Sequence, residues 1–131
     1  MKEVQLRLGV MIADKPRAGA KMGYICGPMS SHDDLNAPAF ARAEAYLRRR
    51  GFEVFNPAAK PIENPSKIES LEFRREVFAL DTHWICRNAD FLALLPGWEK
   101  SLGATAEIAL ARAVGIQVVR LPISFMKQRV P

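Results

Sequence analysis

Three observations predict an α/β fold with a three-layer, doubly wound parallel sheet of about five strands. From Met22 onward, short apolar runs alternate with longer segments that carry apolar residues at three- and four-residue spacing. Each apolar run ends on a Gly, Pro or Asn-Pro turn, as at Gly27-Pro28, Asn56-Pro57, Pro96-Gly97 and Pro122. The intervening segments are long enough for helical crossovers, which join parallel strands and cover both faces of a sheet.

Residues 1–21 are read as an N-terminal extension, an added edge strand or an arm, ahead of a domain covering 22–131. Val4, Leu6, Leu8, Val10 and Ile12 alternate with less apolar neighbours, a period-two pattern that Pro16 and Gly19 interrupt. The first strand of the domain is Tyr24 to Cys26, stopped by Gly27-Pro28. A polar loop, Ser30 to Asp34, leads to Asn36 as a helix cap, with Pro38 in the first turn. That helix extends to about Arg50, burying Phe40, Ala43 and Leu47, and Gly51 ends it.

Phe52 to Phe55 form the second strand. Pro57, Pro61 and Pro65 make 56–67 a loop of the length often used as a lid. A helix from about Ser70 to Arg87 places Phe73, Val77, Leu80 and Trp84 on one face. The third strand is Phe91 to Leu95, the next helix Gly103 to Val114, and the last clear strand Ile116 to Leu121. Phe125 and Met126 in the tail call for an apolar surface, on the same or a neighbouring subunit.

The composition, 49% apolar and 25% charged over 131 residues, is that of one globular domain. No apolar run approaches the roughly 20 residues of a membrane span and no secretory signal is visible, so a cytoplasmic protein is expected. The net charge of +5 is spread over helix ends and the tail with no aromatic interleaving, which fits small anionic ligands and gives no reason to expect nucleic acid. Cys26 and Cys86 have neither CxxC nor histidine spacing, so they read as buried reduced thiols; no metal and no cofactor are expected.

Ligands of such sheets bind beyond the carboxyl ends of the strands, where Tyr24–Ser31, Asn56-Pro57 and Pro96–Glu107 all fall. Glu107 is read in the first turn of its helix, where N–H groups and the dipole keep a carboxylate ionised as a nucleophile; the competing reading is a capping glutamate. Asp81 shares the apolar face of its helix, a costly place for a carboxylate that is neither paired nor functional, unless the helix end frays and exposes it. Asp90 reads as a strand-start residue bonded to the preceding turn. Gly27, Ser30, Ser101 and Gly103 offer N–H groups and hydroxyls suited to a phosphate. Trp98 either stacks on a base or covers the sheet edge, and His32 and His83 read as surface residues.

The runs Tyr24-Ile25-Cys26-Gly27-Pro28-Met29-Ser30, Asn36-Ala37-Pro38-Ala39-Phe40, Asn56-Pro57, Ala89-Asp90 and Leu94 to Ala104 with Glu107 resemble the DUF4406 family of the nucleoside 2-deoxyribosyltransferase-like superfamily, over residues 22 to about 121. The resemblance implies a flavodoxin- or Rossmann-like sheet and N-glycosidic bond chemistry on nucleosides or their 5′-monophosphates. It maps the attacking glutamate onto Glu107, the tyrosine that touches it onto Tyr24, and the aspartate that contacts the leaving base or sugar onto Asp81. The serine and glycines that hold a 5′-phosphate map onto Ser101, Gly103 and Gly27; Pro28, Met29, Ser30, Asn36, Asn56, Gly97 and Trp98 complete the candidate substrate contacts, and a homo-oligomer is implied as the assembly. The sequence departs from the transferases at Leu102, where they often carry an acidic residue, and offers only His32 for a basic phosphate ligand. Two other readings are a non-catalytic nucleotide-binding regulator and a phosphoribohydrolase of the cytokinin-activating type. The latter has a compact Pro-Gly-Gly-x-Gly-Thr-x-x-Glu motif, whereas Gly97 and Gly103 stand apart here.

Overall fold

A computed structural model describes residues 21–29, 34–59 and 70–122. Its elements are β1 (Met22–Cys26), α1 (Ala37–Arg49), β2 (Glu53–Phe55), α2 (Leu71–Asn88), β3 (Phe91–Leu94), α3 (Leu102–Ala113) and β4 (Gln117–Arg120), with 3-10 turns at Pro57–Ala59 and Trp98–Lys100. The four strands form one parallel sheet in the order β2-β1-β3-β4. Residues 1–20 of the N-terminal extension, with its expected edge strand, lie outside the described residues, as do Ser30, His32, positions 60–67 of the expected lid loop, Phe125 and Met126.

The order explains the layers. The chain steps from β1 to β2 in one direction, then returns past β1 to β3 and continues to β4. Crossovers of one hand therefore put the first helix on one face and the next two on the other. Along β1, Ile25 faces α1 while Tyr24 and Cys26 face α2 and α3, the period of two expected of a strand buried on both sides. On the α1 face, Phe40, Ala43 and Leu47 pack with Ile25, Phe91, Ala93 and Leu95. On the other, Trp84, Ile85, Ala104, Ile108 and Ala111 pack with Tyr24, Cys26, Leu92 and Leu94.

Three local expectations are corrected. Asn36 occupies the cap position of α1 but has φ +62° and makes no side-chain cap; its amide donates instead to the Pro28 carbonyl at 3.1 Å. Leu80, read as core, is 41% exposed, and Leu71 beyond it is 67% exposed. The 18-residue α2 packs on strands of four and five residues, so its N-terminal half overhangs the sheet; an 18-residue helix is about 27 Å long, a four-residue strand about 13 Å. Cys26 is buried as expected, but Cys86 is exposed. No helix among the described residues is long and apolar enough to cross a membrane.

Candidate functional site

The strand order reverses between the parallel neighbours β1 and β3, which makes their carboxyl ends the switch point of the sheet. The loop after β1 and the turn after β3 meet there. Gly97 has φ +87°, which only glycine adopts at low cost, and a side chain on it would stand 3.5 Å from Pro28 Cγ. Asn36 ties the same loop down through Pro28. Leu35 and Asn36 both have positive φ (56° and 62°), a local strain held at the end of that loop.

Ser101 caps α3: its hydroxyl accepts from the Ala104 N–H at 3.1 Å. Because the helix begins at Leu102, Glu107 is its sixth residue, not a first-turn residue. The expectation that N–H groups and the dipole keep it ionised is therefore corrected. The capping reading, with Ser101 as cap and Glu107 as its partner, fails too: Ser101 is the cap, but its reciprocal partner would stand at Ala104, and the Glu107 carboxylate is held by Tyr24 and Cys26. Glu107 instead points inward from the second turn and is 7% exposed. The Tyr24 hydroxyl donates to its Oε2 at 2.8 Å, and Cys26 Sγ lies 3.4 Å from its Oε1.

Asp81 is 5% exposed on α2, so the frayed-helix reading does not hold. Its charge acts on the same centre. Burial pushes the Glu107 carboxyl up to about 7; the nearby Asp81 charge adds to the rise, while the bonds from Tyr24 and Cys26 oppose it. Tyr24 is driven well above its ordinary value by burial, then by Glu107 and Asp81, so the phenol remains a donor. Its ring stacks on Phe55 at 5.6 Å and lies 6.1 Å from Trp84, which fixes the hydroxyl's direction with three rings from β1, β2 and α2.

The remaining predicted contacts divide into two groups. Gly27, Pro28, Met29, Gly97, Trp98, Ser101 and Gly103 lie along the described rim of the switch point; Ser30 lies outside the described residues. Trp98 is half-buried against the core around Tyr24, with the Arg120 guanidinium 5.7 Å above its ring. Asn56 serves its own turn: its amide donates to Glu44 at 3.1 Å and its carbonyl accepts from Ala58 N–H at 2.9 Å. Asp90, expected to bond the preceding turn, accepts from the Met22 N–H at 2.7 Å and fastens the start of β1 to β3.

Sequence reasoning gives Cys26 only as a buried thiol and misses its place at the site. Its position two residues after Tyr24 on a strand was the available signal, since such residues share a face. Among the described residues no three His, Cys, Asp or Glu side chains cluster as metal ligands would. A separate groove of about 340 Å³ lies on the α1 face, lined by Tyr46, Phe52, Phe91, Val119 and Leu121, away from Glu107.

No curated protein matches the chain. A family model, described as a domain of unknown function (DUF4406), matches residues 21–120 and so spans every element of the sheet and the whole Tyr24–Asp81–Glu107 centre; the chain belongs to the DUF4406 family.

Proposed function

We propose that the protein carries out N-glycosidic bond chemistry on deoxynucleosides or their 5′-monophosphates, as a hydrolase or a deoxyribosyltransferase of the nucleoside 2-deoxyribosyltransferase-like superfamily. The observation that carries this reading is the buried bond between the Tyr24 hydroxyl and Glu107 beside a second buried carboxyl, Asp81, at the switch point of the sheet. A carboxylate held by a neutral phenol, with a second carboxyl near enough to shift it, is the equipment of a two-step retaining displacement.

In the first step one oxygen of ionised Glu107 bonds to C1′ as the C1′–N bond breaks, and the electron pair leaves with the base. Asp81 or a water gives that base a proton. In the second step water attacks C1′ and gives up a proton to the group that protonated the base, the ester C–O bond breaks, and the Glu107 carboxylate is restored. A second base in place of water makes the reaction a transfer. Ser101, Gly103 and Gly27 hold the 5′-phosphate at the rim, and Trp98 stacks near the base. The partner is thus a small nucleoside or nucleotide, the reaction uses neither metal nor cofactor, and the working assembly is a homo-oligomer.

The test is direct. The protein is incubated with deoxynucleosides and their 5′-monophosphates, with and without an acceptor base, and free and exchanged base are followed by chromatography. Release or exchange that vanishes in Glu107→Ala is the expected result. A second reading is favoured by the position of the Glu107 carboxyl near 7, which leaves about half of it protonated and non-nucleophilic at neutral pH. A nucleotide-binding regulator would then bind the monophosphate at every pH without base release.

A further inference from the structure

Cys26 and Tyr24 are successive inward side chains of β1, and between them they occupy both oxygens of one carboxylate. The phenol donates to Oε2 at 2.8 Å, and the thiol sulfur is 3.4 Å from Oε1 and 3.6 Å from the carbonyl oxygen of Ala104. A thiol has one hydrogen, so it serves one of these acceptors at a time. Burial and the neighbouring Glu107 charge keep that hydrogen on sulfur, which rules Cys26 out as a thiolate nucleophile. What remains is a weak, neutral donor with two stations.

The two donors affect the two oxygens differently. A short O–H bond to a carboxylate oxygen is charge-assisted and ties up electron density on Oε2. An S–H bond is weak, so it orients Oε1 while leaving its lone pair reactive. We infer that Cys26 is a positioning residue that presents Glu107 Oε1 as the attacking oxygen and turns its S–H to the Ala104 carbonyl when Oε1 becomes the ester oxygen. This rests on the glycosyl-transfer reading above. Once Oε1 is bonded to carbon it loses its charge and most of its acceptor strength, and the carbonyl 3.6 Å from the sulfur becomes the better partner. No proton leaves the site in this exchange. Among the described residues, the titratable groups that face Glu107 are Tyr24 and Cys26 from β1 and Asp81 from α2.

The S–H stretch of the thiol gives a signature that packing alone would not move. In a Cys86→Ser background, which leaves Cys26 as the sole thiol, the infrared S–H band is followed through the titration of Glu107. The band should shift to lower frequency as the carboxyl ionises and stay fixed in Glu107→Gln; a band indifferent to pH overturns the inference. Kinetics give the second arm. Cys26→Ala should lower kcat about tenfold, the size of one lost hydrogen bond, with KM changed less than about twofold, and Cys26→Ser should restore most of it. Equal losses in the two variants would mean a packing role and would overturn the inference. If the wild-type protein releases no base from any nucleotide while the S–H band still follows Glu107, the glycosyl-transfer reading fails and the attack-orienting role fails with it. The thiol–carboxylate bond alone would then stand.

Discussion

Tyr24 and Glu107 are separated by 83 residues in the chain, yet the phenol hydroxyl lies 2.8 Å from a carboxylate oxygen that water barely reaches. The bond holds the ionised form of a group that burial and the Asp81 charge push toward neutrality.

Removing either neighbour should therefore move Glu107 in opposite directions. Tyr24→Phe deletes a donor to the charged form, so the carboxyl should titrate above its present value of about 7, binding its proton about tenfold more tightly. Asp81→Asn deletes a like charge, so Glu107 should titrate below it. The acidic limb of the kcat/KM profile for base release, or the ¹³C carboxyl shift of Glu107, reports both. Shifts of the same sign would contradict this account of the centre.

The same carboxyl should make the fold less stable as pH rises. Its pKa is about 7 in the folded protein against an ordinary 4.5, so between these values the native state keeps a proton that the unfolded chain releases. Its stabilising effect is complete below about pH 4.5 and is lost as pH rises to about 7. The upper limit of the loss is on the order of 3 kcal/mol for a shift of this size. Glu107→Gln keeps the shape without the charge and should flatten this part of the profile. Urea unfolding at pH 5 and pH 8 should show wild type losing stability across the interval and the variant holding it.

How much of this was legible in the sequence follows the range of the forces involved. Apolar periodicity is local, so α1 with Phe40, Ala43 and Leu47 inside was readable, as were the turns at Gly27-Pro28 and Pro96-Gly97. Asp81 is readable as a carboxylate on a buried face because it stands eight residues after Phe73, four after Val77 and four before Ile85. The sequence places Glu107 one turn too early because the cap of α3 is Ser101, not a later residue, and the difference turns the physics from dipole stabilisation to desolvation. The overhang of α2 depends on the length of the strands it crosses, which its own pattern does not contain. Cys26 meeting Glu107 depends on β1 lying against α3, a contact made by topology.

Two glycines that look alike in sequence should respond oppositely to alanine. Gly27 reads in sequence as a phosphate-loop residue, and a Cβ there would stand 2.7 Å from Leu95 Cβ, so close packing against β3's end by itself requires glycine. Gly27→Ala should cost about 1–3 kcal/mol by overpacking. Gly103, the second residue of α3, is exposed, and the nearest atom to an added Cβ is Ser101 Oγ at 3.9 Å. Gly103→Ala should thus leave stability unchanged or raise it by up to about 1 kcal/mol, through the lower entropy of the unfolded chain. If the 5′-phosphate is held at this helix start, the same methyl group blocks its approach to the backbone N–H groups. The KM for the monophosphate should then rise about tenfold while that for the unphosphorylated nucleoside stays within about twofold, since only the former uses those groups. Thermal melts of the two variants, and KM values for nucleoside and monophosphate side by side, check the pair. Equal KM increases for both substrates would move the phosphate away from α3.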